Sequence, residues 1–207
     1  MHDHAILLHG DALEQLRELP DESIDALVTD PPAGISFMGQ GWDSNKGGRD
    51  EWIAWLAEIM REALRVLKPG AHALVWALPR TSHWTATAIE DAGFVIRDVV
   101  AHLYGTGFPK SLDVSKAIDK MHGAEREVIG AAHRKATGRI EQGSGGYAFE
   151  EDFAITAPAT DDARRWQGFG TALKPAREDW ILARKPLVGT VAANMLAHGT
   201  GALNIDR

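Results

Sequence analysis

The sequence predicts an α/β protein organised around a parallel sheet, and two observations carry that prediction. A strand–helix–strand pattern occupies the first 30 residues, and a second alternation of helices and strands runs from Glu51 to Tyr104. Strands that alternate with helices in this way are typical of parallel sheets. With 207 residues, the chain suits one such domain carrying an inserted module.

The first pattern consists of two apolar runs and the helix between them. Ala5 to His9 is predicted as a strand, and Ala12 to Leu19 as a short amphipathic helix. Ile24 to Thr29 is predicted as a buried parallel strand, because it is short and rich in Ile, Leu and Val. Residues 34–50 are rich in glycine and predict a loop, and loops of this length inside a domain usually serve a function.

The second pattern begins with a helix from Glu51 to Leu67, where apolar residues recur every three or four positions and Asp50 is the expected N-cap. Lys68-Pro69-Gly70 is predicted to end this helix. The later predicted elements are a strand over His72 to Leu78, a helix over His83 to Ala92, strand structure over Phe94 to Tyr104, a helix over Asp113 to Met121, strands over Thr171 to Leu173 and Asp179 to Arg184, and a helix over Thr190 to Leu196.

Residues 123–170 interrupt this order. Glycines at 138, 143, 145 and 146 break the pattern, and no periodicity persists across the segment. We therefore predict an α/β half over 1–122, an irregular insert over 123–170, and a return to the α/β core over 171–207.

The charged residues are distributed unevenly along the chain. The net charge is −7, yet residues 101–140 hold seven basic side chains against four acidic ones, and residues 164–188 hold six against two. Basic segments of this kind can follow nucleic-acid phosphates, although two solvated surfaces explain the charge equally well. The chain has no cysteine, which excludes disulfides and thiolate chemistry, and its nine histidines lack metal-ligand spacing, so no metal site is expected.

Neither a membrane nor an export signal is indicated. No stretch approaches the roughly 18 apolar residues of a membrane-spanning helix. The first residues lack the basic-then-apolar pattern of a signal peptide. A cytoplasmic location is expected.

The most informative motif is Asp30-Pro31-Pro32-Ala33, directly after the Ile24–Thr29 run. Two prolines cannot continue a central strand, because neither has an N–H to give to the sheet. A carboxylate is thus fixed at the carboxyl end of a strand, where open α/β folds place their ligands. The Asp30 carboxylate and the Pro31 carbonyl make two hydrogen-bond acceptors, which is what an amino group needs if its lone pair is to attack.

This motif resembles the catalytic tetrapeptide of the DNA amino-methyltransferases, which act on adenine N6 or cytosine N4. Other segments resemble a phage and prophage branch of that family, in the same order along the chain. They are Gly10 to Glu14, Gly34 to Asp43, Leu64 to Gly70, Trp76 to Arg80, Gly107 to Ser111, Lys185 to Leu187 and Gly199 to Asp206. The resemblance implies a Rossmann-like S-adenosylmethionine-dependent methyltransferase three-layer sandwich, permuted and incomplete, with a target-recognition insert.

The resemblance also implies roles for individual residues. Asp30 and the Pro31 carbonyl would hold the amino group of a base flipped out of double-stranded DNA, with Pro32 and Ala33 completing the motif. Asp11 and Asp30 would contact S-adenosylmethionine, and Asp11 is equally suited to cap the helix from Ala12.

A second set of roles concerns the DNA. Most relatives carry an aromatic residue that stacks on the base at the position of Ala33. We expect Phe37 or Trp42 to replace that ring, and Trp76 to be a core contact. Lys110 and Ser111 would contact the DNA backbone or the base pocket. The pattern is equally compatible with an ordinary surface loop that binds nothing.

The family's F-x-G-x-G cofactor motif has no counterpart in this sequence. The sheet is therefore expected to lack its first cofactor strand, and the chain alone to bind S-adenosylmethionine weakly and to transfer methyl slowly or not at all. A complementary C-terminal half or a homodimer would complete it. The alternatives are a remnant or subunit that only binds DNA, and a methyltransferase of RNA or of protein glutamine.

Overall fold

The computed structural model describes residues 5–36, 39–105, 111–135, 150–173 and 176–206. The chain divides into two compact units. The first comprises Met1–Gly105 with Ala176–Arg207, and the second is Thr106–Pro175. The second unit thus begins before and ends after the predicted insert of residues 123–170.

The first unit is a four-stranded sheet with helices. Its strands run in the order β1-β2-β6-β3; β1 is parallel to β2, whereas β6 is antiparallel to both of its neighbours. The α/β class is confirmed, but the sheet is mixed rather than parallel, because β6 enters it in the opposite direction. The elements are α1 (Ala12–Arg17), β1 (Ile24–Thr29), α2 (Arg49–Val66), β2 (Leu67–Ala77), α3 (Ser82–Asp91), β3 (Val95–Leu103), β6 (Arg177–Arg184) and α6 (Val191–His198).

The core lies between the sheet and helices α2 and α3. Trp52, Leu56 and Met60 of α2 are fully buried in the same apolar cluster as four β2 residues spaced two apart: Ala71, Ala73, Val75 and Ala77. Small side chains on this face of β2 leave room for the large ones of α2. Gly48, rather than Asp50, occupies the N-cap position, because α2 begins at Arg49.

Strand β1 lies at an edge of the sheet and is not the buried strand that its composition predicts. Its one partner among the described strands is β2, and Val28 is 69% exposed. The predicted strand at residues 5–9 is also wrong. These residues pair with no described strand, and Ile6 and Leu7 are 84% and 93% exposed. An apolar run becomes a strand only where a partner accepts its backbone hydrogen bonds.

The Lys68-Pro69-Gly70 segment is part of β2 rather than a turn. The register with β1 shifts between Ile24 and Ala26, which pair with Leu67 and His72. A bulge of this kind absorbs the proline without interrupting the strand. The Pro69 carbonyl accepts hydrogen bonds from Asn194 Nδ2 (2.8 Å) and Thr200 Oγ1 (2.5 Å), which attaches α6 and its following turn to β2.

The described part of the second unit contains α4 (Val114–Met121), an antiparallel hairpin of β4 (Val128–Lys135) and β5 (Glu150–Thr156), and α5 (Asp161–Arg165). The hairpin was not evident from the sequence, because β4 and β5 lie on either side of the glycine-rich stretch. Thr171 to Leu173, predicted as a strand, forms none; the Thr171 amide donates to Ser111 Oγ instead (3.0 Å).

Asp119 is the buried centre of the second unit. Its carboxylate accepts hydrogen bonds from Arg126 Nη1 (2.6 Å), the Ala159 amide (3.0 Å) and the Thr160 hydroxyl (2.7 Å). Burial opposes its ionisation, but these hydrogen bonds and the Arg126 charge lower the pKa of Asp119 to about 2. The ionised carboxylate therefore joins α4 to the segment that leads into α5.

None of the helices in the described ranges is long and apolar enough to cross a membrane.

Candidate active site

The Asp30 turn lies at the carboxyl end of β1. Thr29, the last residue of the strand, pairs with Val75 of β2. Asp30 is exposed, and Pro31, Pro32 and Ala33 are half-buried. The motif thus lies at the carboxyl end of the strand, as predicted, and its three residues after Asp30 pack against the first unit.

Two hydrogen bonds hold the far side of this turn. Thr81, at the N-cap position of α3, donates its hydroxyl to the Ala33 carbonyl at 3.1 Å. The Gly34 amide donates to Oδ1 of Asp43, a buried carboxylate of the glycine-rich loop, at 2.8 Å. Neither Thr81 nor Asp43 was predicted from the sequence. No local pattern indicates that they meet the motif, because both contacts depend on tertiary structure.

Gly34 is the one position of the turn that requires glycine. Its φ is +71°, a left-handed conformation that other residues adopt with strain. A Cβ atom here would lie 2.6 Å from Nε1 of Trp52, the buried residue of α2. Since the backbone rests directly on an indole ring, the turn has little freedom to move. The acceptors at Asp30 and Pro31 are therefore preorganised.

These two acceptors differ in their surroundings. The carbonyl of Pro31 receives no hydrogen bond from the residues that the structure describes, so it is available to a ligand. Partial burial, followed by the negative charge of Glu178, raises the pKa of Asp30 above its usual range. A carboxylate in such surroundings is a good acceptor for a donor that brings positive charge.

Glu178 is a residue of this site that the sequence did not single out. It lies on β6, and its Oε2 accepts a hydrogen bond from Nε1 of Trp76 on β2 at 3.1 Å. Burial, and then the charge of Glu178, also raises the pKa of Tyr104, which follows β3. Glu178 thus lies close to both Asp30 and Tyr104. Trp76 is only half-buried and lies on the face opposite the core, so its predicted core position is wrong.

Asp11 has the capping role that its sequence position suggested. Its Oδ1 accepts from the amides of Leu13 (3.0 Å) and Glu14 (3.2 Å) at the start of α1. Oδ2 accepts no hydrogen bond within the described part of the chain. An acceptor with one free oxygen suits a hydroxyl or amino group of an adenosine moiety, so capping and cofactor binding are compatible.

The remaining predicted site residues are placed as follows. Trp42 is 60% exposed in a short 3₁₀ turn, Gly41–Asp43. Ser111 lies in the second unit, where its Oγ accepts from the amides of Thr171 and Ala172. Phe37 and Lys110 lie outside the described residues. Among the described residues, no group of three His, Asp or Glu side chains could hold a metal ion.

Two rigid acceptors at the carboxyl end of a strand can accept two hydrogen bonds from one amino group. Residues 24–122 match the model of the N6/N4 methyltransferase family, which is described as DNA methylase. The match begins at the first residue of β1 and includes the whole Asp30 turn. It confirms the resemblance: this part of the chain is similar to the DNA amino-methyltransferase family.

The chain is also similar to curated relatives and to solved structures. The DNA adenine methyltransferase YhdJ of Escherichia coli is 41% identical over 66 residues, covering 30% of this chain and 21% of that protein. The type II methyltransferase M.HindIII of Haemophilus influenzae is 22% identical over 234 residues, which cover 96% of this chain and 64% of that protein. The structure of the cytosine-N4-specific PvuII DNA methyltransferase matches with a TM-score of 0.43 at 14% identity, and the match covers 94% of this chain and 54% of that one. Each match spans less than two thirds of the relative's length.

Proposed function

We propose that the chain transfers a methyl group from S-adenosylmethionine to the exocyclic amino group of adenine (N6) or cytosine (N4) in double-stranded DNA. One observation carries this proposal: Thr81, Asp43 and Trp52 hold in place the turn that presents the Asp30 carboxylate and the Pro31 carbonyl, and that carbonyl accepts no hydrogen bond from the described residues. The family match supports the same reaction class.

In the proposed reaction, the target base leaves the stack so that its amino group reaches the turn. Asp30 and the Pro31 carbonyl accept its two hydrogens, and this arrangement frees the nitrogen lone pair from conjugation with the ring. Bound S-adenosylmethionine supplies a methyl group on a cationic sulfur. The nitrogen lone pair would form the new carbon–nitrogen bond as the carbon–sulfur bond breaks, and the electron pair of that bond would stay on sulfur in neutral S-adenosylhomocysteine. The nitrogen would then be cationic, and Asp30 would accept the proton that it loses. Positioning and electrostatics account for the catalysis.

Asp11 is the residue best placed to hold the adenosine part of the cofactor, through its free Oδ2. Asp30 would face the methyl donor as well as the base. Its negative charge, with that of Glu178 beside it, favours a cationic donor.

The proposed DNA contacts come from both units. The basic side chains of residues 101–140 and 164–188 suit phosphates. The sequence assigns base stacking to Phe37 or Trp42, and contact with the backbone or the base pocket to Lys110 and Ser111. A protein that acts on DNA in this way would work in the cytoplasm.

We further propose that another polypeptide segment completes the sheet at the edge of β1, supplied by a complementary half or by a second copy of the chain. Val28 is exposed on this edge, and the apolar residues Ile6 and Leu7 are exposed nearby in sequence. An open edge strand presents unpaired backbone groups that readily bind a further strand.

The second candidate function is DNA binding without catalysis. The free edge of β1 favours it, because the strand that carries Asp30 lacks a partner on one side within the described residues. RNA or protein glutamine as methyl acceptor is a third candidate.

The test is transfer of label from methyl-tritiated S-adenosylmethionine to duplex DNA, RNA or protein. We expect DNA alone to be labelled, and Asp30→Asn to reduce the rate at least about 100-fold while DNA affinity is kept. Asp25→Asn, on the exposed side of the same strand, is the matched control and should retain activity. Labelling of RNA or protein instead would contradict the proposal, and DNA binding without any labelling would favour the second candidate.

A further inference from the structure

The proposed amine site has no aromatic side chain within its tetrapeptide, Asp30-Pro31-Pro32-Ala33. Ala33 presents only a methyl group beside the two acceptors. A base held by its amino group alone can rotate about that attachment, whereas a base that also stacks on a ring is fixed in a plane. An aromatic side chain at the carboxyl end of β1 would meet this need.

Trp76 is the register neighbour of Asp30. Thr29 of β1 pairs with Val75 of β2, so Asp30 and Trp76 are the next residues on two adjacent, parallel strands. This places the indole at the end of the sheet from which the Asp30 turn emerges. The placement follows from the strand pairing and could not be inferred from the 45 residues that separate the two in sequence.

The face on which Trp76 lies is the accessible one. Val75 and Ala77, on either side of it, are buried in the core beneath α2 and α3. Side chains alternate along a strand, so Trp76 projects from the opposite face, together with the exposed Val28. Its ring is half-buried and is therefore accessible to a ligand held at Asp30.

Glu178 fixes the orientation of this ring. Its carboxylate accepts the indole N–H at 3.1 Å, and its own position is set by β6, where it pairs with His102 of β3. The groups that face Glu178 are Asp30 after β1, Trp76 on β2, and His102 and Tyr104 at the end of β3. An indole held at its N–H cannot turn freely, so the orientation of the Trp76 ring is restricted.

We propose that Trp76 is the stacking surface for the target base, in place of the aromatic residue missing at position 33, and that Glu178 is the residue that positions it. This inference rests on the proposed function, since it assigns a role within the same amine site. It replaces the expectation that Phe37 or Trp42 provides the ring. Glu178 acts through Trp76 and does not touch the base in this arrangement.

The test uses the full chain and single-stranded oligonucleotides of dA, dC or dT, which need neither base flipping nor a recognition sequence. In ¹⁵N–¹H spectra, the indole resonance of Trp76 is identified by its loss in Trp76→Phe. We expect oligo-dA or oligo-dC to shift that resonance and the amides of Ala33 and Gly34. Oligo-dT should leave them in place, because thymine presents a carbonyl to the Asp30 carboxylate.

Variants then separate the stacking role from a structural one. Trp76→Ala should weaken the dA or dC response of the Ala33 and Gly34 amides roughly 5- to 150-fold, the range expected for one lost base–aromatic stack. Trp76→Phe should retain most of the affinity, since it keeps a ring. Glu178→Gln should fall between them. Trp42→Ala removes the competing candidate ring, in the exposed 3₁₀ turn, and should bind dA or dC as tightly as wild type.

The possible failures are distinguishable. If the Ala33 and Gly34 amides respond to dA or dC but Trp76→Ala binds as tightly as wild type, the stacking role is overturned and the amine site stands. If Trp42→Ala alone loses affinity, the ring is Trp42 and the assignment to Trp76 is overturned. If no oligonucleotide moves the amides of the Asp30 turn, both the amine site and the role of Trp76 are overturned.

Discussion

At the scale of single residues, the site combines a motif that can be recognised in the sequence, Asp30 to Ala33, with residues distant in sequence that fix its position. The Asp30 acid and the prolines after it predict a ligand-binding turn, because their chemistry is local. Thr81, Asp43 and Glu178 act on that turn through tertiary contacts, and Glu178 lies 102 positions from its hydrogen-bond partner Trp76. Such residues carry no sequence signal, since an acid or a hydroxyl on an element end has many ordinary roles.

The charge of Glu178 leads to a prediction for the pH dependence of methyl transfer. The proposed reaction requires ionised Asp30, and burial together with Glu178 raises the pKa of that group. Glu178→Gln removes the nearby charge and lowers the pKa of Asp30 toward its ordinary value. The acid limb of the pH–rate profile should therefore move to lower pH.

Rates of tritium transfer between pH 4 and 8 would measure this shift. Trp76→Phe keeps the Glu178 charge and serves as the control, with an unchanged acid limb. A limb that moves to higher pH in Glu178→Gln would contradict the electrostatic coupling.

At the scale of elements, the helices were easier to predict than the strands. The apolar periodicity of α2 is a property of the helix itself, so its extent agrees with the prediction to within two residues at the start and one at the end. The strand predicted at residues 5–9 failed because a strand also requires a partner. The segment around Pro69 shows the opposite effect. Strand β2 continues through residues that would end an isolated strand, because its pairing with β1 and β6 stabilises it.

The Asp30 turn allows a matched pair of glycine substitutions. Gly34 and Gly39 have nearly the same positive φ, +71° and +72°, but a Cβ at Gly34 meets Trp52 at 2.6 Å whereas one at Gly39 meets nothing within 4 Å. Gly39→Ala should cost about 1 kcal/mol of unfolding free energy from backbone strain. Gly34→Ala should cost about 1–3 kcal/mol more, from overpacking, and should also reduce methyl transfer. Urea unfolding of both variants checks this, and equal losses would refute the contact with Trp52.

The buried Asp119 gives the second unit an acid-sensitive centre. Because its pKa is lowered to about 2, its ionised form stabilises the folded unit at pH values above the ordinary pKa of an aspartate. That contribution is lost as the pH falls toward 2. Asp119→Asn should lower the midpoint of thermal unfolding at pH 7 by on the order of 10 °C and should flatten its dependence on pH between 4 and 2.

Asp161→Asn is the control, because Asp161 is exposed and its ion pair with Arg164 is within one helix turn. Calorimetric scans of the two variants and the wild type would decide. If both variants shift the midpoint equally, the Asp119 network does not hold this unit together.

At the scale of the whole molecule, the charge is divided along the chain. Residues 1–100 hold 8 basic and 16 acidic side chains, whereas the segments around the second unit are basic. A net charge of −7 is thus compatible with the proposed DNA contact. The sequence predicted this division and the α/β class, but not the direction of β6, because antiparallel entry depends on where the second unit returns the chain.

The sheet should also differ in local stability from one edge to its centre. Strand β6 has partners on both sides, and β1 has one among the described strands. We expect the slowest amides of β1 to exchange with solvent at least about tenfold faster than the slowest amides of β6. Hydrogen-exchange mass spectrometry or NMR would measure this, and equal protection would show that β1 is already covered by a partner in solution.

The position of β1 also links catalysis to folding. The acid proposed to accept the amino group follows β1, which pairs with only one of the strands that the structure describes. A segment that binds this edge would act as a ligand of the folded state and would stabilise the protein in proportion to its concentration over its dissociation constant. The same backbone bonds would steady Asp30. Melting temperature and methyl-transfer rate would then rise together as the edge is filled, and one titration would report on both.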